Sequence, residues 1–559
     1  MLAKRHRKVE QASMTEMAVK PALPLSDRST DSVSSHVPAG TLGQRRRSLP
    51  IQWLRAVAAL MVMLYHSAEY QHLVLHDDRM RSLFGPPLGY FGVALFFAIS
   101  GYLMSTAIRV QKPALFLVHR ILRIYPLYFL AAAVFYGVAS LAGNIVYLDP
   151  YSLFLMPLAR VRYPMRVEWT LIFEIAFYAC LFLIAWVGLA KRIVWIALAW
   201  CVVITASTLV SPDDGSRQLS PIYQMLRLSV CLPMACGLLL PSLLKRSIPP
   251  VLLLALSVLP WVGYHFLPQG LRLEYEICRW LFGTSAVLVL WGMVKWSERE
   301  STDLGAPGRI LARYGDDSYG LYLCHVPVLR AVYSLAGENH DRSFASLAGV
   351  WLAAVAATIL LSIALGHIDV RLYARLKSWA GRRSDRMIAG IAISYFAAFI
   401  ALSGYNGIER FRFDRHVAEA RQVAVAMLAA HPILTSDDAQ AAALAEGYVL
   451  SADLAGRVDT VKRVQPGDRL YIDLWALDRR QEPILLALYR NGSLLVAGTP
   501  DLVRADVSKA YAMSGNNAFH FEEGEPCNAS AIVAVVYTPD HRFMVLPQAA
   551  AAIDCASSP

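Results

Sequence analysis

Long apolar runs constrain this chain more than any other feature. Leu88–Ile108, Leu171–Leu189, Ile193–Val210, Val251–Phe266, Ile277–Val294 and Met387–Leu402 each reach or approach the length that crosses a bilayer. Composition agrees: 56% of residues are hydrophobic and 17% are charged, fewer charges than soluble proteins carry. The chain reads as a polytopic α-helical membrane protein. Eleven spans are expected, at about 51–67, 88–108, 124–142, 170–189, 193–210, 222–241, 249–267, 277–294, 315–334, 346–366 and 387–404.

The net charge of +11 does not point to nucleic acid, because the basic residues gather in short loops between the runs. Arg45–Arg47, Arg109 to Arg123, Lys191 and Arg192, Lys245 and Arg246, Lys295 to Arg313, and Arg371 to Arg383 all fall on one side if the amino terminus is cytoplasmic. Arg160, Arg162 and Arg166 dissent. Residues 1–48 are polar and too poor in apolar side chains to fold alone. No apolar run directly follows Arg5 and Arg7, so a cleavable signal peptide is not expected and the span from Ile51 serves as the insertion signal.

An odd number of spans places the tail outside. It begins with the helical stretch "RHVAEARQVAVAMLAAHP". Short apolar runs follow, broken by Pro-Gly, Asn-Gly and Pro-Asp, as strands and turns are. The expectation is an extracytoplasmic β-sandwich-like domain over 405–559. The expected division of the rest is 1–48, a core at 49–375, and a loop with an extra span at 376–404. Cys527 and Cys555 would meet an oxidising compartment, as a disulfide or as two thiols.

"LRAVAALMVMLYHS", Leu54–Ser67, places Arg55 and His66 eleven residues apart. Eleven helical residues turn the chain about 1100° and advance it about 16 Å. The two side chains thus share a face at opposite depths. Ionisable groups in a span usually face a bundle interior or cavity, so this face suggests a passage. The blander alternatives are an Arg55 that snorkels to the interface and a His66 bonded to a backbone carbonyl. "RVEWTLIFEIAFY" sets Glu168 at a span mouth and Glu174 inside it, where a carboxylate must be paired or protonated; His66 is one expected partner, and a structural bond to a neighbouring helix is the alternative. Arg120 and Arg123 in "RILRIYP" share a helix face and suit phosphates. His325 in "YGLYLCHVP" reads as structural. No zinc-type ligand spacing occurs, and no metal is expected.

Together these stretches resemble the membrane acyltransferase-3 family over about residues 49–375. Arg55 and His66 match its arginine–ten–histidine first helix. "GYFGVALFFAISGY" resembles its second helix, with Ser100 and Gly101 as the Ser-Gly pair. Arg120 and Arg123 fit its RxxR. "VEWTLIFEIAFY" resembles a further motif through Trp169, Glu174 and Tyr178, and "YGLYLCHVPV" another through His325 and Pro327. "LGHIDVRLY" lacks the family's proline after Asp369, so no role is carried onto Asp369. No GDS-type nucleophile block follows position 405. The exopolysaccharide O-acetyltransferases are the nearest subfamily in pattern.

The resemblance implies an enzyme of a bacterial inner membrane. It would move an acyl group, acetyl by default, from cytoplasmic acyl-coenzyme A to a hydroxyl of an envelope or exported polysaccharide or lipid-linked glycan, alongside the envelope polysaccharide machinery. His66 would be the general base with Glu174 orienting it. Arg55, Arg120 and Arg123 would hold the donor phosphates. A glycan or lipid transporter or flippase would also bury charges, and an inactive sensory core would as well; the ordered motif set favours the enzyme.

Overall fold

A computed structural model of the chain describes residues 39–141, 150–157, 163, 165, 167–210, 222–266, 274–299, 305–337, 343–464, 469–500, 507, 510–511, 517–526, 532–547 and 553–554. Arg160, Arg162, Arg166, Cys527 and Cys555 lie outside these residues, as does the amino-terminal segment up to position 38. The chain divides into two compact units, Met1–Arg45 and Arg46–Pro559. In the first, the described residues from Ala39 are helical. The second holds the rest of that helix and every other element.

Among the described residues the α-helices of the membrane-type part are α1 (Ala39–Leu75), α2 (Arg79–Leu83), α3 (Pro86–Val110), α4 (Pro113–Leu141), α5 (Glu168–Trp186), α6 (Ile193–Val210), α7 (Ile222–Met225), α8 (Leu232–Leu243), α9 (Pro250–Leu256), α10 (Leu259–His265), α11 (Glu274–Arg299), α12 (Gly305–Ala336), α13 (Phe344–Gly381) and α14 (Asp385–Ala430). Local signals set several ends. Pro86 and Pro87 open α3, where a missing N–H costs nothing. Ser343 and Ser384 cap α13 and α14 by accepting from the N–H of Ser346 and Met387.

Eight helices among the described residues are long and apolar enough to cross a membrane, not eleven. The three runs that fail do so for visible reasons. Residues 222–241 are divided among α7, a 3-10 turn at Ser229–Cys231 and α8, with Pro233 in the first turn of α8 and Pro241 near its end. Residues 249–267 split into α9 and α10, with Pro260 early in α10. Residues 315–334 do lie in one long helix, α12, but Asp316, Asp317 and Arg330 make it too polar. It packs along α13 and sends Leu323, Val326, Leu329 and Tyr333 into the main apolar cluster.

The carboxyl-terminal part corrects the expected β-sandwich. A short helix α15 (Ser436–Ala445) starts at a capping box of Thr435 and Asp438. Among the described residues nine strands follow: β1 (Val449–Leu450), β2 (Leu454–Val464), β3 (Arg469–Asp478), β4 (Leu485–Arg490), β5 (Ser493–Gly498), β6 (Ala518–Pro526), β7 (Ile532–Tyr537), β8 (Arg542–Val545) and β9 (Ile553–Asp554). They form two open sheets, ordered β1-β8-β7-β4-β5 and β6-β3-β2-β9, rather than a closed sandwich. Every residue of β4 and β7 is buried. One face, with Leu485, Ala487, Tyr489, Val533 and Val535, packs on Ala420, Ala424 and Met427 of α14 and Ala439 and Ala442 of α15. The other, with Leu486, Leu488, Ala534 and Val536, meets Val458, Ile472 and Leu474 of the second sheet. Continuous rather than alternating apolar runs are what two-sided burial requires. The Asn491-Gly492 turn between β4 and β5 has positive φ at both residues, as a tight hairpin does.

Candidate functional site

The predicted residues converge on two cavities that adjoin within the bundle. The first, about 160 Å³, is lined by Arg55 of α1, Ser100 of α3, Arg120 and Arg123 of α4, and Glu174 and Tyr178 of α5. The second, about 230 Å³, is lined by His66 and Tyr65 of α1, Trp169 of α5, Arg279 of α11 and Tyr322 of α12. Val93 and Tyr322 line both. The helical arithmetic explains the division: Arg55 and His66 share one face of α1 but stand about 16 Å apart along it.

The first cavity is cationic. Arg123 forms a short salt bridge to Asp369 of α13, whose side chain is 4% exposed. Its guanidinium lies over the rings of Tyr319 and Tyr373, at 5.4 and 5.3 Å. Arg55 reaches Gln52 at 3.4 Å. Arg120 lies over Phe116 and Tyr178, at 5.8 and 5.9 Å. Its buried Nε has no hydrogen-bond partner among the described residues. A buried guanidinium donor without an acceptor is costly, and a phosphate would supply one. Glu174 accepts from the hydroxyls of Ser100, at 3.4 Å, and Tyr178, through a short bond.

One neighbour of His66 is the backbone carbonyl that its blander reading allowed, and the other is not the expected Glu174. Nδ1 of His66 lies 3.0 Å from the Val62 carbonyl and 3.2 Å from Nε2 of His325. The structure does not join Glu174 to His66 by a hydrogen bond; each keeps its own partners, one in each cavity. Between them Tyr322 donates to the Val167 carbonyl at 2.6 Å and shares a short bond with Thr170, so the tyrosine that borders both cavities is held from α5.

Arg55, His66, Arg120, Arg123 and Glu174 are therefore brought to one seam. Four further residues carry more of the site than their sequence context indicated. His325 is in contact with His66, and Asp369 is the partner of Arg123. Tyr322 stands in the same motif as His325, and its signal was a tyrosine in an otherwise apolar segment. Arg279 interrupts the apolar run "EICRWLFG", and an arginine within such a run is itself a signal. Among the described residues no group of three or more His, Cys, Asp or Glu side chains could hold a metal ion.

Such a bundle, with eight helices fit to span and an ionisable interior, defines a polytopic helical membrane protein built around a polar site. The chain belongs to the acyltransferase-3 family: the model described as an acyltransferase domain matches residues 50–367, more than half of the sequence. It is similar to Nodulation protein 10 of Rhizobium leguminosarum bv. viciae, 26% identical over 341 residues, covering 51% of this chain and 84% of that protein. No solved structure matches.

Proposed function

We propose that this chain is a membrane O-acyltransferase that moves an acyl group, acetyl by default, from acyl-coenzyme A to a hydroxyl of a cell-envelope or exported polysaccharide or its lipid-linked precursor. The observation that carries the reading is the pair of adjoining cavities: three guanidiniums open into one and a histidine into the other. Arg55, Arg120 and Arg123 bind the donor's phosphates, and the basic loops beside that cavity favour its opening to the cytoplasmic side. The thioester arm passes Tyr322 toward His66. Nε2 of His66 takes the proton of the acceptor hydroxyl as its oxygen attacks the thioester carbonyl. The C–S bond then breaks, and the thiolate leaves with the proton from His66. Glu174 contributes from the donor cavity, through charge and through Ser100 and Tyr178, rather than by bonding the ring.

Membranes holding the wild-type chain or His66→Ala, given radiolabelled acetyl-coenzyme A and extracted envelope glycans, test this. Label should enter the glycan fraction with the wild type and fall by at least about a hundredfold with His66→Ala. Equal label from both would remove the base from His66. No donor consumption by either, with acetyl or longer acyl groups, would favour transport over transfer.

A further inference from the structure

The hydrogen bonds around His66 assign every imidazole proton in the pair. Nδ1 of His325 lies 3.2 Å from the carbonyl of Leu321. A carbonyl only accepts, so that nitrogen carries a hydrogen. Neutral His325 then has a bare Nε2, and this atom faces Nδ1 of His66 at 3.2 Å. Nδ1 of His66 in turn lies 3.0 Å from the Val62 carbonyl, so it too carries a hydrogen. One N–H is thus shared between a carbonyl on its own helix and the lone pair of His325. Nε2 of His66 has no hydrogen-bond partner among the described residues, and the side chain lines the second cavity. The two rings stand 5.0 Å apart at 48°, and His325 is 1% exposed, held beside Tyr322 at 5.8 Å.

We infer that His325 is a positioning residue: its bare Nε2 accepts from Nδ1–H of His66, fixes that ring, and stabilises the imidazolium that His66 becomes when its Nε2 takes a proton. The inference rests on the acyl-transfer reading for its catalytic part alone; the hydrogen bond stands apart from it. In familiar triads a carboxylate holds the base. Here a neutral ring does so, made a better acceptor by donating its other N–H to a carbonyl, as outer partners of histidine commonly are. The proton does not continue to His325. Its transfer would leave the lone pair of His66 Nδ1 pressed against the Val62 carbonyl. It therefore stays on His66 and returns to the departing sulfur.

Two variants separate acceptance from packing. His325→Gln keeps an acceptor oxygen within reach of His66, whereas His325→Leu fills the space and accepts nothing. The full chain, purified in detergent with nitrogen-15 histidine and assigned by comparison with His66→Ala, reports protonation at each ring nitrogen. The wild type should show His66 with hydrogen on Nδ1 and a bare Nε2. The Nδ1–H signal should be far downfield, kept by Gln and moved upfield by Leu. In the acetyl-transfer assay Leu should lower kcat at least about tenfold with KM little changed, and Gln should recover most of it. A wild-type His66 protonated on Nε2, or a Leu variant with unaltered kcat, overturns the inference. A chain inactive toward every donor would sink the acyl-transfer reading, while the nitrogen spectra would still decide whether the two rings are bonded as described.

Discussion

Arg120 and Arg123 lie three residues apart on one helix, yet they meet opposite circumstances. Arg123 is tied to buried Asp369 and flanked by two tyrosines. Arg120 lies over two rings, and its Nε has no hydrogen-bond partner among the described residues. Substitution should separate a structural cation from a ligand-seeking one. Arg120→Gln should leave the melting temperature of the detergent-solubilised chain within a degree or two and raise KM for the acyl donor about tenfold or more. Asp369→Asn removes the charge opposite Arg123. Breaking a buried pair from one side costs about 3–5 kcal/mol, so its melting temperature should fall by several degrees. Equal melting of the two variants would show that Arg123 does not depend on Asp369. The arginine pair was legible in the sequence because spacing alone brings i and i+3 together. The pairing of Arg123 with Asp369 was not, since the two lie 246 residues apart and no local spacing joins them. The same reason hid the contact between His66 and His325, which are separated by 259 residues.

Helix packing decides where those residues stand. At Gly101 of α3 an added Cβ would lie 2.1 Å from the Met234 carbonyl oxygen, and at Gly237 of α8 it would lie 2.3 Å from that of Ala98. The two backbones touch, as small residues allow in membrane bundles. Ser100, next to Gly101, lines the first cavity and donates to Glu174. Gly101→Ala must therefore spread α3 from α8 and move Ser100. Overpacking of this kind costs about 1–3 kcal/mol. Gly101→Ala and Gly237→Ala should each lower the melting temperature and weaken donor binding. Their effects should combine by less than the sum, because the first spreading relieves the second. Additive losses would place the two glycines in separate contacts. Eight of the apolar runs correspond to helices fit to span, since length and hydropathy suffice to mark them. The others show what those two measures miss. Prolines break 222–241 and 249–267 into pieces, and α12 joins the bundle through its apolar face while Asp316 and Arg330 stay exposed.

At the scale of the whole molecule, α14 runs unbroken from the membrane-type core into the tail, and its last turns become one layer of that tail. Hydroxyls of Tyr489 and Tyr537, from β4 and β7, donate to the carbonyls of Ala424 and Ala420 at 2.9 and 2.5 Å. The sequence showed the strands and the Asn-Gly turn. It also held the clue against a simple sandwich, since "ILLALY" and "AIVAVVY" have no polar alternation and so have two faces to bury. What no local pattern shows is the bond that closes the far edge. Arg542 of β8 donates to both oxygens of buried Asp478, at 3.0 and 2.7 Å, and to Asp540 at 2.7 Å. Burial alone would raise the carboxyl of Asp478, but Arg542 outweighs it and holds that group below the ordinary range. Bonds from Arg542 and Thr538 depress Asp540 to about 2. A carboxylate depressed in the folded state contributes stability above its unfolded value, about 3.9, and loses it as pH falls through the folded one. The tail of the full chain should thus resist pepsin at pH 4 and become progressively cleavable toward pH 2. Arg542→Ala leaves the Asp478 carboxylate buried without its cation, at a cost of about 3–5 kcal/mol. That variant should be cut in β3 and β8 already at pH 4, while peptides from the spanning helices stay unchanged. If the variant and the wild type became susceptible at the same pH, the arginine would not be what holds the two sheets together at this edge.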